Sequence, residues 1–134
     1  MKHLEVVAGI IIFEGKILCM KRNKGNYDYI SYKYEFPGGK IEPGETQIEA
    51  LKRELKEEMN LEVVLTEEDY FLTVEHEYPD FAITMHCYIC KTYSPHFERR
   101  EHVDHIWLKH NELHQLDWAP ADEPIVRKIE IVEI

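Results

Sequence analysis

Three glutamates in the middle of the chain have a spacing that is suited to metal chemistry. Glu54, Glu57 and Glu58 lie at positions i, i+3 and i+4, so on a helix they share one face over an arc of roughly 100°. Carboxylates this close repel one another unless a cation lies among them. Oxygen ligands without Cys or His favour Mg²⁺, with Mn²⁺ as a substitute, over zinc. On spacing alone, a solvated acidic face with interleaved basic side chains is the competing interpretation.

The segment that carries these carboxylates has the signals of an amphipathic helix. Thr46 followed by Glu49 matches a capping box, which marks a helix N-terminus. Asn60 lies where a left-handed C-terminal cap is needed. Between them, apolar residues recur at spacings of three and four, at Ile48, Leu51, Leu55 and Met59. We therefore expect a helix between Thr46 and Asn60 that buries the apolar stripe away from the carboxylates.

Apolar and β-branched runs on both sides of this helix predict a sheet. The predicted strands are Val6–Phe13, Ile17–Met20, Tyr34–Phe36, Leu61–Leu65, Tyr70–Glu77, Ala82–Tyr93 and Val103–Leu108. The polar segment from Arg22 to Lys33 is expected to be a long loop. Asp122-Glu123-Pro124 indicates the start of a C-terminal helix with proline in its first turn. This order of elements predicts an α+β fold in which helices cover a sheet.

Composition restricts the class of partner. The 134 residues have the length of one domain, which would span 1–134. With 16 basic and 26 acidic side chains the net charge is −10. This charge argues against a nucleic-acid polymer, whose phosphates are neutralised by Lys and Arg. It remains compatible with a small phosphate ligand when a metal cation neutralises the contact.

The location of the protein is also predicted from composition. No apolar stretch approaches the roughly 20 residues that a membrane-spanning helix needs. Three cysteines are too few, and odd in number, for a disulfide scaffold and suit a reducing compartment. We expect a cytoplasmic protein without a membrane partner, either a monomer or a homodimer.

The residues around the three carboxylates resemble the Nudix box. That pattern is a glycine, five residues, Glu, seven residues, Arg-Glu-apolar, one residue, Glu-Glu, one residue, Gly-apolar. The chain matches it with Gly39, Glu45, Arg53-Glu54-Leu55, Glu57-Glu58 and Asn60-Leu61. Asn replaces the last glycine at a helix cap, where Asn is the usual substitute. A match of this length is far more specific than a lone glycine motif.

Further segments are similar to the MutT-type branch of the Nudix hydrolases. They are Glu35–Glu42, Glu77–Asp80 and Pro120–Pro124, so the resemblance covers nearly the whole chain. It implies an α/β/α sandwich with a mixed β-sheet and Mg²⁺-dependent hydrolysis. The branch includes 8-oxo-dGTP diphosphatases and CTP pyrophosphohydrolases, which cut a nucleoside triphosphate to monophosphate and pyrophosphate.

The resemblance therefore implies a (deoxy)nucleoside triphosphate pyrophosphohydrolase. Its expected substrate is an oxidised purine nucleotide such as 8-oxo-dGTP, or a cytosine nucleotide, and its expected role is sanitation of the nucleotide pool in support of DNA repair. One alternative is a Nudix hydrolase of ADP-ribose or a dinucleoside polyphosphate. The other is a Nudix domain that senses nucleotides without turnover.

The resemblance also implies the metal-binding and catalytic residues. Glu54, Glu57 and Glu58 would bind the metal, and which of them is the general base stays open. Arg53 would orient a neighbouring carboxylate, either Glu45 or Glu57.

Two further positions match metal ligands of the branch. Gly38 would offer its backbone carbonyl, with a plain tight turn as the alternative explanation of the glycine pair. Glu101, six residues before Trp107, would be an extra carboxylate from a loop. An exposed acid beside two arginines is the competing interpretation of Glu101.

The remaining implied site residues would contact the substrate. Arg22 and Lys40 are the candidates for gripping phosphate, and the Arg22 match requires a longer loop in this chain. The other implied contacts are Glu35, Phe36, Pro37, Gly38 and Asp122. Tyr78 and Phe81 could stack on a base or simply pack.

Asp122 carries most of the information on substrate choice. By resemblance it occupies the base-recognition position, where the 8-oxoguanine-selective enzymes have Asn. An ionised Asp only accepts hydrogen bonds, which favours donor edges such as cytosine N4–H₂ or guanine N1–H and N2–H₂. Capping of the C-terminal helix is the competing role.

Other spacings of metal-ligating residues are weak signals. Cys87 and Cys90 lie on a predicted strand, which places them on opposite faces, and His102 and His105 do the same. We expect buried thiols and surface histidines rather than a zinc site.

Overall fold

In the computed structural model, which describes residues 1–132 and 134, the strands form one mixed sheet with a helix packed on each face. The strands are β1 (Lys2–Phe13), β2 (Lys16–Lys21), β3 (Tyr34–Glu35), β4 (Gly38–Lys40), β5 (Tyr70–Glu77), β6 (Phe81–Lys91) and β7 (Asp104–Lys109). The helices are α1 (Gln47–Met59) and α2 (Glu123–Val132), with short 3₁₀ turns at Glu67–Asp69, His110–Gln115 and Pro120–Asp122. This arrangement confirms the predicted α/β/α sandwich.

Strand β1 lies at the centre of the sheet because both of its faces are apolar. It pairs in parallel with β6 and antiparallel with β2 and β4, while β3 and β7 extend from β2, and β5 from β6. Side chains alternate between faces along a strand. Ala8 and Ile10 therefore pack on the side of α2, and Val7 and Ile11 on the side of α1. A continuous apolar run is typical of a strand buried on both faces.

Helix α1 begins and ends where the sequence predicts. The hydroxyl of Thr46 accepts a hydrogen bond from the Glu49 N–H at 3.1 Å, and the Glu49 carboxylate accepts one from the Thr46 N–H at 2.9 Å. Asn60 has φ 51° and ψ 37°, the left-handed conformation of a C-terminal cap. The apolar stripe is buried through Leu51, Leu55 and Met59, so the helix holds its carboxylate face away from the core.

The strand predicted at Leu61–Leu65 is wrong. This segment has no regular secondary structure, and no strand of the sheet is adjacent to it in the described residues. Leu61 and Leu65 are nevertheless buried in the cluster beneath α1. The apolar residues that suggested a strand are therefore accounted for by packing of an irregular segment under the helix.

The chain after β7 returns to the sheet and brings the C-terminal segment next to β3. The Tyr34 N–H donates to the Asp117 carbonyl at 2.8 Å, and the Ala119 N–H donates to the Tyr34 carbonyl at 2.9 Å. Trp118 lies between these two bonds and stacks on Phe36, with ring centroids 4.7 Å apart. This pairing places Asp122 beside the strand that carries Phe36.

Two expectations drawn from composition can be compared with the structure. Cys19, Cys87 and Cys90 are free and buried, and Cys87 and Cys90 belong to the clusters on opposite faces of the sheet, as predicted. Neither described helix has both the length and the apolar character that crossing a membrane requires.

Candidate active site

A cavity of about 420 Å³ opens between the sheet, the β2–β3 loop and the segment before β7. Part of its lining is charged or polar, and includes Arg22, Glu35, Lys40, Glu58, Glu101, His102 and Asp122. The rest is apolar and aromatic, with Phe36, Tyr78, Phe81, Ile83 and Met85 among its members. A phosphate group and a flat ring could thus both be bound in this one continuous cavity.

Arg53 organises the carboxylates at the start of this site. Its Nε and Nη2 donate to the two carboxylate oxygens of Glu45 at 2.7 and 2.9 Å. Its Nη1 donates to Glu54 at 2.9 Å and to Glu57 at 3.2 Å. A bond of 3.0 Å from Nη2 to the Lys40 carbonyl ties the helix to β4. The two partners expected from the sequence, Glu45 and Glu57, are therefore both engaged.

The electrostatics of this ion-pair group favour its charged form. The hydrogen bonds from Arg53 lower the pKa of the Glu45 carboxyl, and the same contacts raise the pKa of Arg53 above its usual range. Because the Arg53 fork is planar and makes five such bonds, it fixes the orientation of each carboxylate.

Glu58 is the carboxylate of α1 that reaches the cavity. Its Oε2 is buried and has no hydrogen-bonding partner among the described residues. Burial, followed by repulsion from Glu101, Glu54 and Glu35, raises the pKa of Glu58 to about 9. A buried, unpartnered carboxylate oxygen surrounded by like charges is a position that a cation would stabilise.

The three glutamates of α1 differ in environment, although the sequence treats them alike. The side chain of Glu57 is 62% exposed, whereas that of Glu54 is 14% exposed, and both are paired with Arg53. Within residues 1–132 and 134, no three His, Cys, Asp or Glu side chains already converge as a ready set of metal ligands. The residues fit a divalent cation through the donor chemistry around Glu58, with Glu101 as a further carboxylate that lines the cavity.

The glycine pair serves close packing rather than a turn, so the tight-turn alternative for Gly38 is wrong. Gly38 and Gly39 lie in β4, paired with Ala8 and Val7. A Cβ atom at Gly38 would collide with the Val7 carbonyl, and one at Gly39 with the Glu54 carboxylate. Glycine at these positions lets β4 approach both β1 and α1.

Glu35 lies at the centre of a second buried group. Its Oε1 accepts a hydrogen bond from Arg22 Nη1 at 2.9 Å, and its Oε2 accepts one from His102 Nε2 at 2.9 Å. Burial alone would raise the pKa of Glu35, but His102 and Arg22 lower it below its ordinary value. Both oxygens of this predicted substrate-binding residue are therefore already used.

The partners of Glu35 also differ from expectation. The side chain of His102 is only 7% exposed, so the prediction of a surface histidine is wrong. The only sequence signal near His102 for a role in the site is that it directly follows Glu101, because its partner Glu35 is distant in the chain. Arg22 is committed to Glu35 through Nη1, while its buried Nε has no partner among the described residues.

Asp122 lies in the cavity, buried, and accepts a hydrogen bond from the Phe36 N–H at 3.3 Å. This contact links residues far apart in the chain, whereas helix capping would have used the N–H groups of α2. Burial and the nearby charge of Glu35 hold the pKa of Asp122 well above its usual range, against smaller opposite effects of Phe36 and Arg22. Its carboxyl therefore keeps a proton to higher pH than an ordinary aspartate does, and the protonated form can donate as well as accept.

The remaining predicted residues divide between the cavity and the framework. Lys40 lines the cavity with an exposed side chain. Pro37 lies outside the lining, and its carbonyl accepts the Gly9 N–H at 2.8 Å. Tyr78 and Phe81 are buried and line the cavity, and Tyr29 of the β2–β3 loop stacks on Tyr78 with a centroid distance of 5.2 Å.

Comparison with known proteins bears on this geometry. The NUDIX domain family matches residues 3–129. The chain is 36% identical over 126 residues to CTP pyrophosphohydrolase of Escherichia coli, covering 94% of this chain and 90% of that protein. It is 33% identical over 131 residues to 8-oxo-dGTP diphosphatase of the same organism, covering 96% and 98%. The solution structure of the E. coli ORF135 protein superposes with a TM-score of 0.84 at 34% identity, covering 99% of this chain and 92% of that one.

The fold, the Arg53-centred carboxylates and these matches agree over nearly the whole chain. The substrates in these names are those of the relatives. What this chain shares with the relatives is the family. The chain belongs to the NUDIX family and is a hydrolase that acts on phosphoric anhydrides.

Proposed function

We propose that the chain is a Mg²⁺-dependent nucleoside triphosphate pyrophosphohydrolase. Water and a nucleoside triphosphate would yield a nucleoside monophosphate and pyrophosphate, with 8-oxo-dGTP or a cytosine nucleotide as the substrate. The observation that carries the proposal is the buried, unpartnered oxygen of Glu58 in a cavity that also holds aromatic side chains. The names of the relatives, CTP pyrophosphohydrolase and 8-oxo-dGTP diphosphatase, support the same substrate class.

The donor chemistry supports magnesium in particular. Glu58 and Glu101 line the cavity, and Glu54 and Glu57 lie on the same helix as Glu58, where both accept hydrogen bonds from Arg53. Hard carboxylate oxygens suit Mg²⁺, with Mn²⁺ as a substitute, and the Gly38 carbonyl is a further oxygen ligand in this proposal. Bound there, the cation would neutralise the triphosphate and make water a better nucleophile.

The protein side chains have separate tasks in this proposal. Arg53 keeps Glu54 and Glu57 oriented, so it acts through them rather than on the substrate. Of the two cations predicted to contact phosphate, Lys40 is exposed at the cavity and free to do so, since Arg22 is engaged with Glu35. A glutamate of α1 would accept the proton of the attacking water.

Base recognition is assigned to the buried part of the cavity. Phe36, Tyr78 and Phe81 offer flat apolar surface, and Asp122 offers the polar contact. Asp122 can accept from an amino group and, when protonated, can donate to a ring carbonyl, so it is compatible with cytosine and with oxidised guanine. Removal of such nucleotides would serve the proposed sanitation of the nucleotide pool.

A product-resolved hydrolysis screen in Mg²⁺ tests the proposal. It would include 8-oxo-dGTP, dGTP, CTP, dCTP, 5-methyl-dCTP, ADP-ribose and a dinucleoside polyphosphate. Monophosphate plus pyrophosphate from a triphosphate is the expected result, and EDTA should remove it. Turnover of ADP-ribose or the dinucleoside alone would contradict the substrate class, and binding without any turnover would contradict the enzymatic proposal.

A further inference from the structure

Segment 92–103, which joins β6 to β7, brings Glu101 to the cavity. Its middle is tied to the end of α1, where the Glu98 N–H donates to the Met59 carbonyl at 2.8 Å. Arg100 Nη1 likewise donates to the Glu57 carbonyl at 2.9 Å. At its other end, the Val103 N–H donates to the Lys21 carbonyl of β2 at 3.0 Å. Glu101 itself is exposed and makes no hydrogen bond to the described residues.

His102 is the buried side chain between these attachments. Its Nε2 donates to Glu35 Oε2 at 2.9 Å, and Glu35 is held from the other side by Arg22. Glu35 belongs to β3, and its neighbour in the sheet is Met20 of β2. This side-chain bond fixes the segment to the sheet at the position next to Glu101, in addition to the backbone bond of Val103. A hydrogen bond between an imidazole and a buried carboxylate is among the stronger side-chain contacts.

The position of Glu101 depends on this attachment because the two residues are adjacent. A carboxylate on a mobile segment would have to be ordered when a cation binds, at a cost in entropy. His102 removes part of that cost by restricting the backbone before binding. Glu101 and Glu58 line the same cavity and keep carboxylate oxygens without a hydrogen bond to the described residues, which makes them the pair that benefits. The other two cavity carboxylates are already engaged, Glu35 by Arg22 and His102 and Asp122 by the Phe36 N–H.

We propose that His102 is a positioning residue, which by its bond to Glu35 holds Glu101 where it can bind a divalent cation together with Glu58. The inference rests on the proposed function, since it requires the metal site assigned there. His102 itself contacts neither cation nor substrate in this scheme.

The test is a matched pair of substitutions at His102. His102→Gln keeps a donor near the position of Nε2 and should preserve the bond to Glu35, whereas His102→Asn is too short to reach it. Mn²⁺ affinity of the nucleotide-free protein would be measured by electron paramagnetic resonance. We expect His102→Asn to weaken Mn²⁺ binding about tenfold, as removal of a partner behind a metal ligand commonly does, and His102→Gln to remain within about threefold of wild type.

A double-mutant cycle separates positioning from a general effect on the fold. In a Glu101→Gln background, His102→Asn should cause no further loss of Mn²⁺ affinity, because the carboxylate that it positions is already gone. His114→Asn is the control, since the exposed His114 pairs with Glu130 and does not line the cavity. It should leave the affinity unchanged.

Each outcome decides one of the two proposals. Equal losses with and without Glu101, or equal behaviour of His102→Asn and His102→Gln, would overturn the positioning role. A wild-type protein that hydrolyses triphosphates, with Mn²⁺ affinity unaffected by His102→Asn, would overturn this inference alone. A wild-type protein that binds no Mn²⁺ and has no turnover would overturn the proposed function, and the inference with it.

Discussion

The single side chain of Arg53 fixes the orientation of several carboxylates. Its planar group contacts the carboxylates of Glu45, Glu54 and Glu57 and one backbone carbonyl at the same time. An exposed ion pair on a helix contributes little to stability, but the Arg53 side chain is only 21% exposed and its contacts act as a unit. The value of Arg53 therefore lies in the orientation of the carboxylates more than in the strength of any single pair.

Arg53→Lys is predicted to lower triphosphate turnover by about 10- to 100-fold, although the positive charge is kept. Lysine cannot donate in a fork to both oxygens of Glu45 while also reaching Glu54. Steady-state kinetics with excess Mg²⁺ would measure the change, and circular dichroism would check the fold. Arg127→Lys, at an exposed pair with Glu123, is the control and should retain full activity. Full activity of Arg53→Lys would contradict the orienting role.

Asp122→Asn is predicted to change the ranking of bases while leaving metal dependence intact. The raised pKa of Asp122 means that its acid form, and so its ability to donate, is lost as the pH rises. The ratio of kcat/KM between 8-oxo-dGTP and CTP should thus vary with pH in the wild type by about tenfold or more, and should vary less in Asp122→Asn. Measuring both substrates over a wide range, from pH 4 to pH 9, provides the check. An identical ranking at every pH in both proteins would remove Asp122 from base recognition.

At the scale of elements, the site depends on the contact between β4 and α1. β4 has only three residues, and two of them are glycines whose missing side chains make room for the helix carboxylates and for β1. The capping box and the Asn60 cap then fix where α1 starts and ends, and hence which glutamates face β4. The two caps thus determine where the helix begins and ends, and the glycines of β4 determine its distance from the sheet.

Gly39→Ala is predicted to reduce turnover about 100-fold, because the added methyl group would displace the Glu54 carboxylate. The expected loss of thermal stability is smaller, since the clash is with the far end of the flexible Glu54 side chain, which can turn away without unfolding the helix. Kinetics and thermal denaturation on the same sample would separate the two effects. Gly25→Ala, at a glycine that also lines the cavity but where the nearest atom is 3.8 Å from the added carbon, is the control of equal size without a clash.

At the scale of the whole molecule, the chain has an excess of negative charge, and several of its carboxylates are close together at the cavity. The chain carries a net charge of −10, and four of its carboxylates, those of Glu35, Glu54, Glu58 and Glu101, are near enough for the other three to raise the pKa of Glu58. Without a cation this concentration of charge opposes folding. Stability of the molecule should therefore depend on both pH and divalent cations.

The sign of the pH effect follows from Glu58. Its pKa in the folded protein, about 9, lies above the ordinary 4.5, so the folded state binds the proton more tightly than the unfolded state. Its contribution to stability is present below pH 4.5 and is lost as the pH rises toward 9. In EDTA, the free energy of unfolding of Glu58→Gln should decline less over this interval than that of the wild type.

Urea denaturation at pH 5, 7 and 9 would measure this difference. Mg²⁺ should restore most of the lost stability to the wild type at pH 9 and little to Glu58→Gln. Parallel pH profiles for both proteins, with the same response to Mg²⁺, would show that Glu58 does not cause the pH dependence of stability.

The sequence predicted those parts that depend on neighbours along the chain. Each of these parts is built from residues that are close together in the chain. They are the capping box, the buried stripe of α1, the alternation of side chains within a strand, and the pairing of Arg53 with Glu45. The environments of Asp122 and His102 could not be predicted, because their hydrogen bonds reach Phe36 and Glu35 across 86 and 67 residues. The strand expected at Leu61–Leu65 failed for a related reason, since apolar spacing does not reveal whether a partner strand is available.

The central pairing of β1 has a consequence for the order of folding during synthesis. β1 can form its hairpin with β2 early, since Ile12 pairs with Ile17. Its parallel partner β6 is made much later, because Val7 pairs with His86. Pairings of such long sequence separation form slowly and leave an apolar edge open in the meantime. The growing chain should therefore be most prone to aggregation, and most in need of a chaperone, before β6 has left the ribosome.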